Sequence, residues 1–173
     1  MNDSDNKGIY ERAYEAGHRL EGKYRGCAQC AFAALQELLD LRNEQTDAVF
    51  KSATALSGGM GNEGDGSCGA YSGSVMMLGY LIGRERDNFE DPEGIRFETI
   101  ELARQLHDKF IGEYGTVLCH GIHRKIFGRP FYLHDEDEKR KFDEAGAHTE
   151  KCTDVVGKAA AWTMEILGNN TQL

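Results

Sequence analysis

The chain of 173 residues has the length of one ordinary domain, enough to bury about 70% of the surface its unfolded form would expose. With 40% hydrophobic and 28% charged residues it is neither a disordered tail nor a membrane protein, and its net charge of -9 opposes a nucleic-acid backbone or an anionic bilayer. The opening Met1-Asn2-Asp3-Ser4-Asp5 carries no basic stretch followed by an apolar run, so a cytoplasmic location is expected. No segment reaches the roughly 20 apolar residues of a spanning helix, so membrane insertion is not expected. Five cysteines in such a chain cannot all pair, and they read as metal ligands, redox thiols or core filler.

Two prolines and no sustained alternation of apolar and polar residues point to an all-α fold: a single helical bundle of about six helices over residues 1–173. Ile9, Ala13, Ala16 and Leu20 recur at helical spacing and predict a short first helix ending near Gly22. Cys27 through Leu39 predicts a second, and Asn43 is the cap of a third that runs to about Ser57. Between the third and fourth helices lies a glycine-rich loop, Gly58 to Gly69, in which six of twelve residues are glycine. The fourth helix is expected from about Cys68 to Ile82. Asp91, with Pro92 behind it, is expected to cap a long amphipathic helix carrying Ile95, Leu102, Leu106, Phe110 and Tyr114. Leu118 to Phe127 reads as a shorter helix stopped by Gly128 and Pro130. The charged stretch around Asp135-Glu136-Asp137-Glu138 reads as a solvated turn, and Thr149 to Leu167 closes the chain as a helix.

Gly59-x-Gly61-x-x-Gly64 satisfies a dinucleotide-binding pattern, but a helical stretch precedes it and three residues separate it from the next helix, so nucleotide binding is rejected. Cys27-x-x-Cys30 lacks the strand-helix-strand neighbourhood of a thioredoxin-like site. A zinc site would need Cys119-His120 and His123 as its second ligand group. Cys30 fits better as a small buried hydrophobe. Position is the stronger signal. Cys27, Cys68 and Cys152 each fall in the first turn of a predicted helix, and Cys119 lies near the start of another, where unpaired N–H groups and the helix dipole stabilise a thiolate. Thiolates bind metal ions and iron-sulfur clusters, and they also attack disulfides. Four unrelated buried cysteines in a well-packed bundle are the alternative.

These residues resemble the C_GCAxxG_C_C family, small helical bacterial and archaeal proteins with a redox assignment. Cys27-Ala28-Gln29 resembles its first cysteine motif, Gly58-Gly59-Met60-Gly61 its glycine loop and Cys68-Gly69-Ala70-Tyr71-Ser72-Gly73 its CGAxxG element. Cys119 and Cys152 match the last two cysteines, and the resemblance covers about residues 22–167. Cys30 and Asn62-Glu63-Gly64-Asp65 depart from the family's pattern. The resemblance implies a redox role without a substrate, and a related segment of split-Soret cytochromes implies iron-sulfur binding.

The expectation is therefore an iron-sulfur cluster on Cys27, Cys68, Cys119 and Cys152, with Gly59, Gly61 and Gly69 contributing to the cofactor site, in an electron-transfer protein or small reductase. The alternative is a sensor or regulator whose cysteines cycle through a disulfide or bind zinc. Either needs a redox partner protein or a small electron acceptor, and neither fixes whether the chain is a homodimer.

Overall fold

The computed structural model describes residues 3–170, and side chains from Gly8 onward. It is all-helical, with eight α-helices and no strand among the described residues. The helices are α1 (Asp3–Tyr24), α2 (Cys27–Leu39), α3 (Glu44–Ser52), α4 (Gly69–Ile82), α5 (Ile95–Tyr114), α6 (Cys119–Phe127), α7 (Glu136–Glu144) and α8 (Cys152–Asn170). About six were expected. The main addition is α7, where the run of charges points to a solvated turn; in the structure Phe142 is its one buried residue. It forms because Asp135 caps the Glu138 amide at 2.9 Å, and its acidic first turn suits the positive end of the helix dipole.

Other boundaries moved for local reasons. The first helix begins at Asp3, well before the apolar stripe starts at Ile9. α3 opens on the Asn43 cap as expected, with Asn43 and Thr46 bonding each other's backbone amides, but it ends at Ser52 and gives way to a short 3₁₀ turn, Thr54–Leu56. α5 begins at Ile95, three residues beyond Pro92. Asp91 still serves its N-terminus, because the buried carboxylate accepts the amides of Ile95 at 2.8 Å and Arg96 at 3.1 Å.

Two helix pairs organise the core. α1 lies along α8, and α2 lies against α4. Alanines on α1 and α2, with Phe32, Leu35, Met77, Leu78, Leu106, Phe110 and Val156, form one continuous apolar interior. A smaller cluster of Phe131, Phe142 and Ala147 lies beside it, with Phe127, Leu133 and Cys152 packed around it. Small residues bring α2 and α4 together: a Cβ on Gly73 would fall 2.1 Å from the carbonyl oxygen of Ala28.

This contact makes a controlled prediction. Gly73→Ala must push α4 off α2, and overpacking of this kind costs about 1–3 kcal/mol. Gly79→Ala on the same helix meets open space and is expected to be neutral or stabilising by up to about 1 kcal/mol. Denaturant unfolding of the two variants checks the contrast, and equal stabilities would count against the assigned packing.

Candidate functional site

Four cysteines separated widely in sequence line one cavity of about 360 Å³. Cys27 is the first residue of α2, Cys68 the N-cap of α4 and Cys119 the first residue of α6. Cys152 is the first residue of α8 but follows a turn of π-helix, Ala147–Lys151, so its amide already bonds the carbonyl of Ala147. Cys30 is buried outside the cavity lining, and its thiol donates to the carbonyl of Arg25 at 3.1 Å.

The glycine loop holds the cysteines from behind. Its end pairs with the start of α6 in an isolated antiparallel bridge, Ser67 to Leu118. There the Cys68 amide donates to the Val117 carbonyl at 2.7 Å, and the Cys119 amide donates to the Gly66 carbonyl at 3.0 Å. Two glycines leave room for sulfur and its carbon: a Cβ on Gly69 would sit 2.4 Å from the Cys27 sulfur, and one on Gly59 would sit 2.8 Å from the Cys119 Cβ. Gly61 behaves differently. A Cβ there meets nothing, and its carbonyl accepts from Nε2 of His134 at 2.9 Å.

Three of the cavity cysteines, Cys27, Cys119 and Cys152, are disfavoured as thiolates, against the expectation from helix starts. The Cys27 thiol is pushed well up by a hydrogen bond with the Cys68 thiol, then by burial and by the charges of Cys68 and Glu21. The Gly58 amide opposes this by donating to the Cys27 sulfur. Burial, then Cys27, pushes Cys119 up to about 12, and burial with Cys27, Glu21 and Cys119 pushes Cys152 well up. The physical reason is that the amides of Cys119 and Cys152 are spent on carbonyls, while burial and the neighbouring thiols penalise a charge on their sulfurs.

Glu21 and the histidines were not read from the sequence as a group. Glu21 is almost fully buried; its Oε1 lies 3.5 Å from Nδ1 of His148, whose Nε2 lies 3.4 Å from Asp143. The signal was present, because Glu21 continues the Ala13–Gly17 ridge of α1 at four-residue spacing and a carboxylate on that ridge faces the interior. His123, also in the cavity lining, is lowered to about 4 by burial and by His120. Among the described residues, no group of three or more His, Cys, Asp or Glu is gathered closely enough to hold a single metal ion. No described helix is long and apolar enough to cross a membrane.

Two titration outcomes follow. Removing the buried charge with Glu21→Gln is expected to lower the Cys27 and Cys152 thiol pKa values, so cofactor-free protein should alkylate there several-fold faster at about pH 8. Residue-resolved mass spectrometry after iodoacetamide treatment reads this, and an unchanged rate would remove Glu21 from the site's electrostatics. Because Cys119 is raised on folding, its neutral thiol contributes stability that is fully present below about 9 and is lost as pH climbs toward about 12. Thermal unfolding of cofactor-free protein should therefore fall in that window, and less steeply in Cys119→Ala.

The order of these cysteines, the glycine loop between the first two and the convergence of all four on one cavity set the terms for comparison with known proteins. No match was found among the curated proteins or the solved structures. Residues 26–166 match the model of the family described as "Putative redox-active protein (C_GCAxxG_C_C)". That match takes in all four cavity cysteines and the glycine loop and extends over most of the chain, which therefore belongs to the C_GCAxxG_C_C family.

Proposed function

We propose that the four-cysteine cavity is a redox centre in which Cys27, Cys68, Cys119 and Cys152 hold an iron-sulfur cluster, in a protein that carries electrons or performs a small reduction. The observation that carries this reading is the convergence of four thiols, from the starts of four helices, on one cavity of about 360 Å³. Four cysteines complete the usual ligand set of such a cluster. When bound, the cluster would supply reversible one-electron chemistry. The chain's own part is to present the sulfurs, to keep bulk water from them and to give one of them an amide, that of Gly58 at Cys27.

The fit is supported by the cradle. Gly59 and Gly69 stand where any side chain would press on Cys119 or Cys27, so the cysteines are crowded from behind and face inward. A single zinc ion fits less well. Its tetrahedral thiolates would lie about 3.8 Å apart for a Zn–S bond of about 2.3 Å, whereas these cysteines line the wall of a cavity larger than one ion and make no single-ion group. Gly61 is kept in the proposal only through the loop, since its own position touches His134 rather than a cysteine.

A second reading has its own observation. The neighbouring Cys68 thiol is the largest influence on the Cys27 thiol, so this pair is placed to cycle between dithiol and disulfide with an external electron acceptor. Anaerobic purification with iron, zinc and sulfide analysis separates the two. The cluster reading expects a coloured protein with iron and sulfide, loss of colour in each of Cys27→Ala, Cys68→Ala, Cys119→Ala and Cys152→Ala, and retention in Cys30→Ala. Colourless wild-type protein without iron, carrying a reversible Cys27–Cys68 disulfide, overturns the cluster and leaves the dithiol. Loss of cofactor from Cys30→Ala as large as from Cys27→Ala would show that the ligand set is misassigned.

A further inference from the structure

His123 has no part in the chemistry assigned so far, yet it is among the most constrained side chains at the cavity. It lies one turn beyond Cys119 on α6, and its Nε2 is 3.6 Å from the Cys119 sulfur. Both residues are buried, at 3% and 5% exposure. Three phenyl rings hold the imidazole: Phe142 with centroids 5.0 Å apart, Phe127 edge-on at 5.4 Å and Phe131 edge-on at 6.2 Å. These rings belong to the small aromatic cluster beside the main core, so a whole element of packing surrounds this one side chain.

The ring's two nitrogens are not equivalent. Nδ1 is buried with no hydrogen-bond partner, while Nε2 faces the sulfur. A proton on Nδ1 would be a buried donor with nothing to donate to, at a cost of about 1–3 kcal/mol. A proton on Nε2 is directed at a sulfur that can accept it. The hydrogen bond therefore assigns the Nε2–H tautomer, and the phenyl cage prevents the ring from turning away. His120, the nearest alternative imidazole, is turned to the carbonyl of Phe131 at 3.2 Å and is not available to the sulfur.

We propose that His123 is a positioning residue of the redox centre: its Nε2–H donates to the Cys119 sulfur and holds the reduction potential above the value the four cysteines alone would set. A donor at a coordinating sulfur stabilises negative charge there, and the reduced centre carries one more negative charge than the oxidised one. The donor thus favours the reduced state. The inference rests on the cluster reading of the four cysteines, and it adds a residue that ligates nothing.

The test uses the anaerobically purified full chain. His123→Phe keeps an aromatic ring in the cage and removes the donor; His123→Gln offers an amide N–H at similar reach. The expected result is a His123→Phe midpoint shifted at least tenfold toward the oxidised state, about 59 mV for one electron, with iron and sulfide per chain unchanged and most of the shift recovered in His123→Gln. An unchanged midpoint in a fully loaded His123→Phe protein overturns the proposal. Should that variant lose its cluster, ¹⁵N correlation spectra of the wild-type imidazole decide: Nε2–H supports the donor, and Nδ1–H overturns it. Failure of the cluster reading looks different, because the wild type itself then contains no iron or sulfide. The tuning role falls with it, while the tautomer measurement still reports on the hydrogen bond.

Discussion

Backbone pairing between the end of the glycine loop and the segment ahead of α6 is the constraint on which the site depends. Three amides, those of Cys68, Cys119 and His120, bond the carbonyls of Val117, Gly66 and Gly64 at 2.7, 3.0 and 2.8 Å. By this pairing, helices whose starts are far apart in sequence begin side by side, each with a cysteine at its head. Glycine is required at two of the paired positions: a Cβ on Gly64 would fall 1.8 Å from the His120 imidazole, and one on Gly66 would fall 2.6 Å from the carbonyl oxygen of Gly59. The same bonds consume amides that would otherwise stabilise thiolates. The site is thus built at the expense of the feature that makes helix starts attractive to anions.

Neutral thiols at Cys27, Cys119 and Cys152 are the consequence. Burial, mutual proximity and the carboxylate of Glu21 oppose ionisation of Cys27 and Cys152, and the Gly58 amide favours it at Cys27. A cation or cluster binding these sulfurs must displace their protons, so occupancy and proton release are coupled. The unloaded chain need not be unstable, since protonated thiols are comfortable in an apolar wall.

The fold was largely legible where apolar spacing is strong. α2 begins and ends where Cys27 and Leu39 placed it, α4 ends at Gly83 and the α5 stripe of Leu102, Leu106, Phe110 and Tyr114 is buried. It was illegible at α7, whose stability comes from a cap and charges rather than an apolar face, and at Asp91, which caps from four residues away instead of one. At the site, the four cysteines could be singled out by their positions at helix starts. Their electrostatics could not, because the partners of the Cys119 and Cys152 amides are set by tertiary pairing and by a π turn, neither of which has a sequence period. Glu21 was visible only as a charge on an inward ridge, and the role of Cys30 as a buried donor to Arg25 agrees with its place one turn inside α2.

The π turn at Ala147–Lys151 fixes more than the Cys152 amide. Its Lys151 and Cys152 amides reach back five residues, to Gly146 and Ala147, so the chain there carries one residue more than an α-helical turn would hold. Deleting a single residue from this turn would restore α-helical phase and shift the turn's own residues by roughly 100° around the axis of α8. Cys152 would keep its place on α8 while His148 swung away from Glu21 and Asp143. Chain length in this short stretch is therefore under a constraint that side-chain identity does not reveal: a change of one in the residue count uncouples the last cysteine from the polar wall it shares.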